Sequence, residues 1–191
     1  MSRAERYRGR VFSVVTHEVT MPGGGTAARD VVEHIGAVGV AAVDERDRIV
    51  LIRQYRHPLG RAIWELPAGL VDVAGEDLAA TALRELAEEV DLVAGRLEVL
   101  VDMHTSPGWT NERIRLFLAR ELGEVPPEHR HERRDEEADL EVAWFDLDRA
   151  VSMALAGEIT NGPCVAGVLA AARARDQGWA GLRPSDAPRP G

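Results

Sequence analysis

The apolar positions of this chain follow two rhythms. Residues 10–20 (RVFSVVTHEVT) and 28–35 (ARDVVEHI) are rich in β-branched residues and flank PGGG, a turn signal, so a β-hairpin is predicted ahead of the main body. The stretch GAVGVAAVDERDRIVLIRQYR then reads as two apolar strands around a charged turn at 44–47. ELPAGLVDVAGE reads as a loop, because Pro67, Gly69 and Gly75 break any regular pattern. Residues 77–90 (DLAATALRELAEEV) switch to helical spacing: Ala79, Leu83, Leu86 and Val90 share one arc, and Glu85, Glu88 and Glu89 fall almost opposite. Strands are predicted at 96–103, 112–120 and 140–146, with a long exposed loop at 124–137. Helices are predicted near 147–157 and 163–176, and RPSDAPRPG reads as a disordered tail. Strands interspersed with helices give an α/β or α+β fold.

The bulk numbers narrow the function. The 191 residues suit one domain plus an appended element. A single cysteine, Cys164, excludes an intrachain disulfide and a cysteine-based zinc site, which fits a reducing, cytoplasmic setting. There is no signal-peptide core and no run of eighteen apolar residues, so neither export nor a membrane partner is expected. A net charge of −9 argues against binding nucleic acid. An acidic protein can still take a phosphorylated small molecule if cations stand between the two.

RELAEEV, residues 84–90, concentrates the chemistry. A solvated helix face would need nothing beyond the i,i+4 pair of Arg84 and Glu88. However, Glu85 with Glu88 and Glu85 with Glu89 are like-charge pairs at contact spacing, and one arginine cannot neutralise both. Upstream lies PAGLVDVAGE, whose glycines allow backbone carbonyls to approach. Hard cations want about six oxygen ligands, which carboxylates, a carbonyl and water supply.

GLVDVAGEDLAATALRELAEEVDL resembles the Nudix box: a glycine, a short loop, glutamate, seven residues, then Arg-Glu-aliphatic-any-Glu-Glu. There are two departures. Six residues rather than five separate Gly69 from Glu76, and Asp91 stands where the box usually has glycine. Neither touches a ligand position, and aspartate tolerates the left-handed backbone often wanted at a helix end. VEHIGAVGVAAV, LIRQYRHPLG, WELPAGL and SPGWTNE extend the resemblance over roughly residues 10–165, to the ADP-ribose pyrophosphatase branch of the Nudix hydrolases.

That resemblance implies a Nudix-type α/β/α sandwich with a mixed β-sheet, at 36–176, preceded by the N-terminal strands (1–35) and followed by the tail (177–191). It implies magnesium-dependent hydrolysis of ADP-ribose to AMP and ribose 5-phosphate, with manganese as the alternative ion. Glu85 and Glu89 correspond to the principal metal ligands, with Glu88 beside them and the carbonyl of Ala68 as the backbone ligand. Glu76 is assigned to support and Arg84 to orienting a carboxylate. The general base corresponds to a glutamate in the loop before the last strand, Glu136 or Glu137, with Glu136 preferred by register. Arg56 corresponds to a pyrophosphate-binding arginine. Glu112 corresponds to a substrate-side glutamate, and Trp109 is placed to flank the ligand. In this branch the N-terminal strands exchange between two subunits, so a homodimer is expected. His34, His57, His104, His129 and His131 receive no role. The alternatives are another nucleotide sugar (GDP-mannose, ADP-glucose), a non-catalytic ADP-ribose sensor, and an acidic scaffold without metal.

Overall fold

The computed structural model describes residues 2–132 and 139–190. Three sheets carry the chain. The N-terminal sheet has order β1-β2-β3, formed by Arg3–Arg8, Phe12–Thr20 and Thr26–His34. A central sheet of order β11-β8-β9-β4-β7 uses β4 (Ala37–Ala42), β7 (Ala68–Leu70), β8 (Leu92–His104), β9 (Arg113–Glu124) and β11 (Arg183–Pro184). The third has order β10-β5-β6, from β5 (Arg48–Arg56), β6 (Arg61–Glu65) and β10 (Glu141–Asp146). Within the central sheet β4 and β9 run parallel and the other pairs antiparallel, so the sheet is mixed.

Helices cover both faces. α1 (Leu78–Val90) packs Ala82, Leu86 and Val90 against Val38, Val40, Val99 and Phe117. α2 (Leu147–Leu155) and α3 (Gly162–Asp176) close the opposite face over Ala41, Leu116 and Leu118. β4 is therefore buried on both sides, which is why AVGVAA shows no polar alternation. Leu86 and Phe117 are fully buried, and each contributes roughly 1.5–3 kcal/mol by leaving water. Asp77 caps α1 by accepting from the Ala80 amide, and Asn161 caps α3 through the Cys164 amide. Asp91 ends α1 at φ 58°, ψ 33°, the left-handed geometry that the box normally gives to glycine.

The structure corrects four expectations. The N-terminal hairpin is a three-stranded sheet, because RAERYR adds a fully exposed strand with no apolar rhythm to reveal it. Residues 68–70, inside the stretch read as loop, form a short strand, residues 61–65 add another just before it, and β8 starts at Leu92, not 96. The buried arc of α1 includes Glu85 and Glu89, while Leu83, on the apolar arc of the sequence, is exposed. The tail expected to be disordered lies on the body: β11 pairs with β8, Arg183 bonds Asp102, and the Ala187 carbonyl accepts from Arg115. No helix among the described residues is long and apolar enough to cross a membrane.

Candidate active site

The site begins where β7 passes beneath α1. A Cβ built on Gly69 would stand 2.0 Å from the Glu85 carboxyl carbon, so that carboxyl occupies the space a side chain would need. Glycine at 69 is thus a requirement of close approach rather than of turn geometry. One residue earlier, the Ala68 amide donates to Glu89 Oε2 at 2.8 Å. Glu85 and Glu89 are 9% and 4% exposed. Carboxylates are rarely so buried without specific partners, and this burial is what a merely solvated acidic face would lack.

Arg84 ties the remaining acids together. Its Nη1 donates to Glu85 at 2.8 Å and to Glu88 at 3.1 Å, while Nε and Nη2 reach both oxygens of Glu76. Thr81 adds its hydroxyl to Glu76 Oε2. The Arg84 hydrogen bonds hold the Glu76 carboxyl below the usual carboxylate range, and Glu76 in turn raises the Arg84 guanidinium further. Such a two-pronged pair fixes the arginine, and the arginine then fixes two further carboxylates. Glu76, Glu85 and Glu88 thus gather around one guanidinium, with Glu89 beside them on the Ala68 amide. Among the described residues no three histidine, cysteine, aspartate or glutamate side chains already converge at metal-binding distances.

Ala68, Glu85, Glu88 and Glu89 are therefore brought together, with Glu76 and Arg84 as their frame. Arg56 enters through a residue the sequence reading missed. Its Nε and Nη2 donate to the two oxygens of Glu65 at 2.8 and 2.6 Å. Glu65 is buried at the end of β6, three residues before Ala68 on the chain. The Arg56 side chain remains 41% exposed and lines a cavity of about 640 Å³ with Arg53, Tyr55, His57 and Glu141. A buried carboxylate thus fixes the orientation of the Arg56 guanidinium beside this cavity. The only sequence signal for Glu65 is an acid interrupting the apolar run AIWEL. Below it, burial, reinforced by Glu65, pushes the Cys164 thiol up to about 12, so this cysteine is an inert core residue.

Trp109 and Glu112 occupy a different setting. Their loop docks on β3: Val32 donates to the Trp109 carbonyl, Asn111 donates back to Val32, and the Asn111 side chain accepts from the His34 amide. Glu112 accepts from the Thr105 hydroxyl and lies 3.6 Å from His34 Nδ1. The Trp109 ring is exposed. The structure joins these two residues to the N-terminal sheet, not to the α1 carboxylates. Glu136 and Glu137 lie outside the described residues.

Comparison with known proteins adds four findings. Residues 33–166 match the NUDIX domain. The chain is 48% identical over 181 residues to the ADP-ribose pyrophosphatase of Mycobacterium tuberculosis, covering 94% of this chain and 85% of that one. It is 35% identical over 159 residues to the ADP-ribose pyrophosphatase of Bacillus subtilis, covering 83% and 84%. In shape it resembles a crystal structure titled as an ADP compounds hydrolase, with a TM-score of 0.78, 21% identity, and 93% and 94% coverage.

Proposed function

The chain belongs to the Nudix family of hydrolases, and from that premise we propose that it cleaves the pyrophosphate bond of ADP-ribose, giving AMP and ribose 5-phosphate. The observation that carries this reading is the seat of Glu85 over Gly69, with Glu89 held beside it by the Ala68 amide. Two carboxylates buried side by side, with Glu76 and Glu88 close by around the guanidinium of Arg84, make a setting that suits a divalent cation. The two relatives, both ADP-ribose pyrophosphatases and each similar over most of its length, support the substrate.

The donor set is all oxygen, which suits magnesium or manganese over soft metals. Glu85, Glu89 and Glu88, with the carbonyl of Ala68, would hold the ion. Bound there, a divalent cation supplies Lewis-acid polarisation of the phosphoryl oxygens and a lower pKa for water. The protein's own groups do the rest. Arg84 restricts Glu85 and Glu88 to defined rotamers, and Arg56, held in place by Glu65, brings its positive charge to the anionic pyrophosphate. Glu136, or Glu137 one position on, serves as general base from outside the ligand set. Glu112 and Trp109 border the substrate on the side of the N-terminal sheet. Exposed Tyr7, Phe12 and Ile35 on and beside that sheet support its burial against a second subunit in a homodimer. The enzyme works in the cytoplasm.

The test is hydrolysis of ADP-ribose, ADP-glucose and GDP-mannose with magnesium, with manganese and with EDTA, in oxygen-18 water. ADP-ribose should be cleaved fastest, only with metal, with label in one of the two phosphate products. Faster cleavage of another nucleotide sugar would reassign the substrate, and no cleavage of any would overturn the reading.

A further inference from the structure

A second charged cluster lies across the central sheet, where the tail meets the ends of β8 and β9. Asp102 accepts from Arg115 Nε and Nη2 at 2.7 and 3.0 Å and from Arg183 at 2.8 Å. Its two oxygens are thereby engaged by two arginines. Two more stand close by. Arg113 and Arg189 line a cavity of about 170 Å³ with Asp102, Met103, His104, Ile114 and Pro190. No ion pair joins either arginine to a carboxylate among the described residues.

Arg189 is the anomaly. Its Nε and Nη2 are buried without a hydrogen-bond partner, although the side chain reaches Gly36, with Nη1 3.8 Å from where a Cβ there would sit. Burial lowers its pKa, Arg115 and Arg113 add to that and Asp102 opposes them. Guanidinium N–H groups withdrawn from water without an acceptor are costly, and a folded chain normally provides one. Here the chain withholds the acceptor from Nε and Nη2, while the same residue borders the cavity beside Arg113.

We propose that this cavity binds a phosphate-type oxyanion, held by Arg113 and Arg189, at a site sharing no residue with the α1 carboxylates. Three observations set the ligand class. Four arginines around one aspartate give a local surplus of positive charge in a protein whose net charge is −9. The planar fork of arginine matches two oxygens of a tetrahedral anion. The volume is below the roughly 300 Å³ at which pockets for drug-sized ligands begin, so a free ion or the head of a small monoester fits and a nucleotide does not.

The experiment is thermal unfolding in EDTA at constant ionic strength, titrating inorganic phosphate in one arm and ribose 5-phosphate in the other. Wild type is compared with Arg113→Gln and with Arg189→Gln. At ten times the dissociation constant the transition should rise by roughly 3–6 °C in wild type, and by much less in both variants. Because Arg113 is exposed, its variant keeps the test informative even if Arg189→Gln folds poorly. A response to both ligands assigns the site to phosphate monoesters, and a response to phosphate alone assigns it to the free ion. An equal rise in wild type and Arg113→Gln, or no rise in wild type, overturns the proposal. Neither outcome bears on ADP-ribose hydrolysis, which is measured separately with metal.

Discussion

Gly69, Val38, Arg115 and Asp102 form one row of register partners across β7, β4, β9 and β8. The two ends of that row, about 14 Å apart by strand spacing, are charged in opposite senses. At the β7 end, Glu76, Glu85, Glu88 and Glu89 share Arg84. At the β8 end, Arg113, Arg115, Arg183 and Arg189 surround Asp102. Each end carries ordinary ion pairs. The pairs explain stability, and the proposed ligands are a cation at one end and an anion at the other.

The comparison breaks first, and hardest, at Glu89. Glu89→Gln keeps an oxygen to accept from the Ala68 amide and keeps helix propensity, so the fold should survive. It removes one negative charge from the ion's seat. Turnover of ADP-ribose should fall at least about 100-fold, with an unchanged circular dichroism spectrum. Near-wild-type turnover would leave the acidic end without a catalytic purpose.

Gly69→Ala sharpens the same end from the backbone side. The added methyl would meet the Glu85 carboxyl at 2.0 Å, so Glu85 must swing away or the strand must move. A loss of about 1–3 kcal/mol in stability is expected from the overpacking, measured by urea unfolding. Turnover should fall by at least about tenfold, since displacements of an ångström in a reacting geometry are costly. Unimpaired turnover would show that Glu85 does not need its seat.

These ends were unequally legible in the sequence. The acidic one announced itself because four charges and an arginine recur at helical spacing within a short window. Even so, helical periodicity places the acids almost opposite the apolar arc and does not reveal that β7 offers a glycine for Glu85 to lie on. Glu65 was invisible for a related reason: a buried acid in an apolar strand makes sense only once Arg56, nine residues away, is seen across the hairpin. The basic end left no local signal at all. Asp102, Arg113, Arg115, Arg183 and Arg189 come from three separate segments, and RPSDAPRPG has the composition of a disordered tail. What holds that tail is two arginine bonds to Asp102 and to a backbone carbonyl, which composition does not encode. The mixed α/β architecture was readable because the apolar runs that build its core are long and local. The exposed strand Arg3–Arg8 was not, since its stabilisation comes from pairing with β2 and not from burial.

The smallest effect tests how far the tail contributes to the basic end. Arg183 is 40% exposed, so its bond to Asp102 is partly screened, and Arg183→Ala should cost no more than about 1 kcal/mol at pH 7. Its pH dependence is more telling. Burial pushes the Asp102 carboxyl up, but hydrogen bonds from Arg115 and Arg183 outweigh that and hold it below the usual range. A carboxyl so depressed adds stability that is complete above its unfolded pKa, near 3.9, and is lost as the pH falls through the lower folded value. Removing Arg183 raises the folded value while Arg115 keeps the pair intact. The gap between wild type and Arg183→Ala should therefore be fully open above about pH 5 and close towards pH 2, in unfolding measured across that range. A gap that stays constant would mean that Arg183 acts through packing of the tail, and the arginine surplus at this end would then owe nothing to its charge.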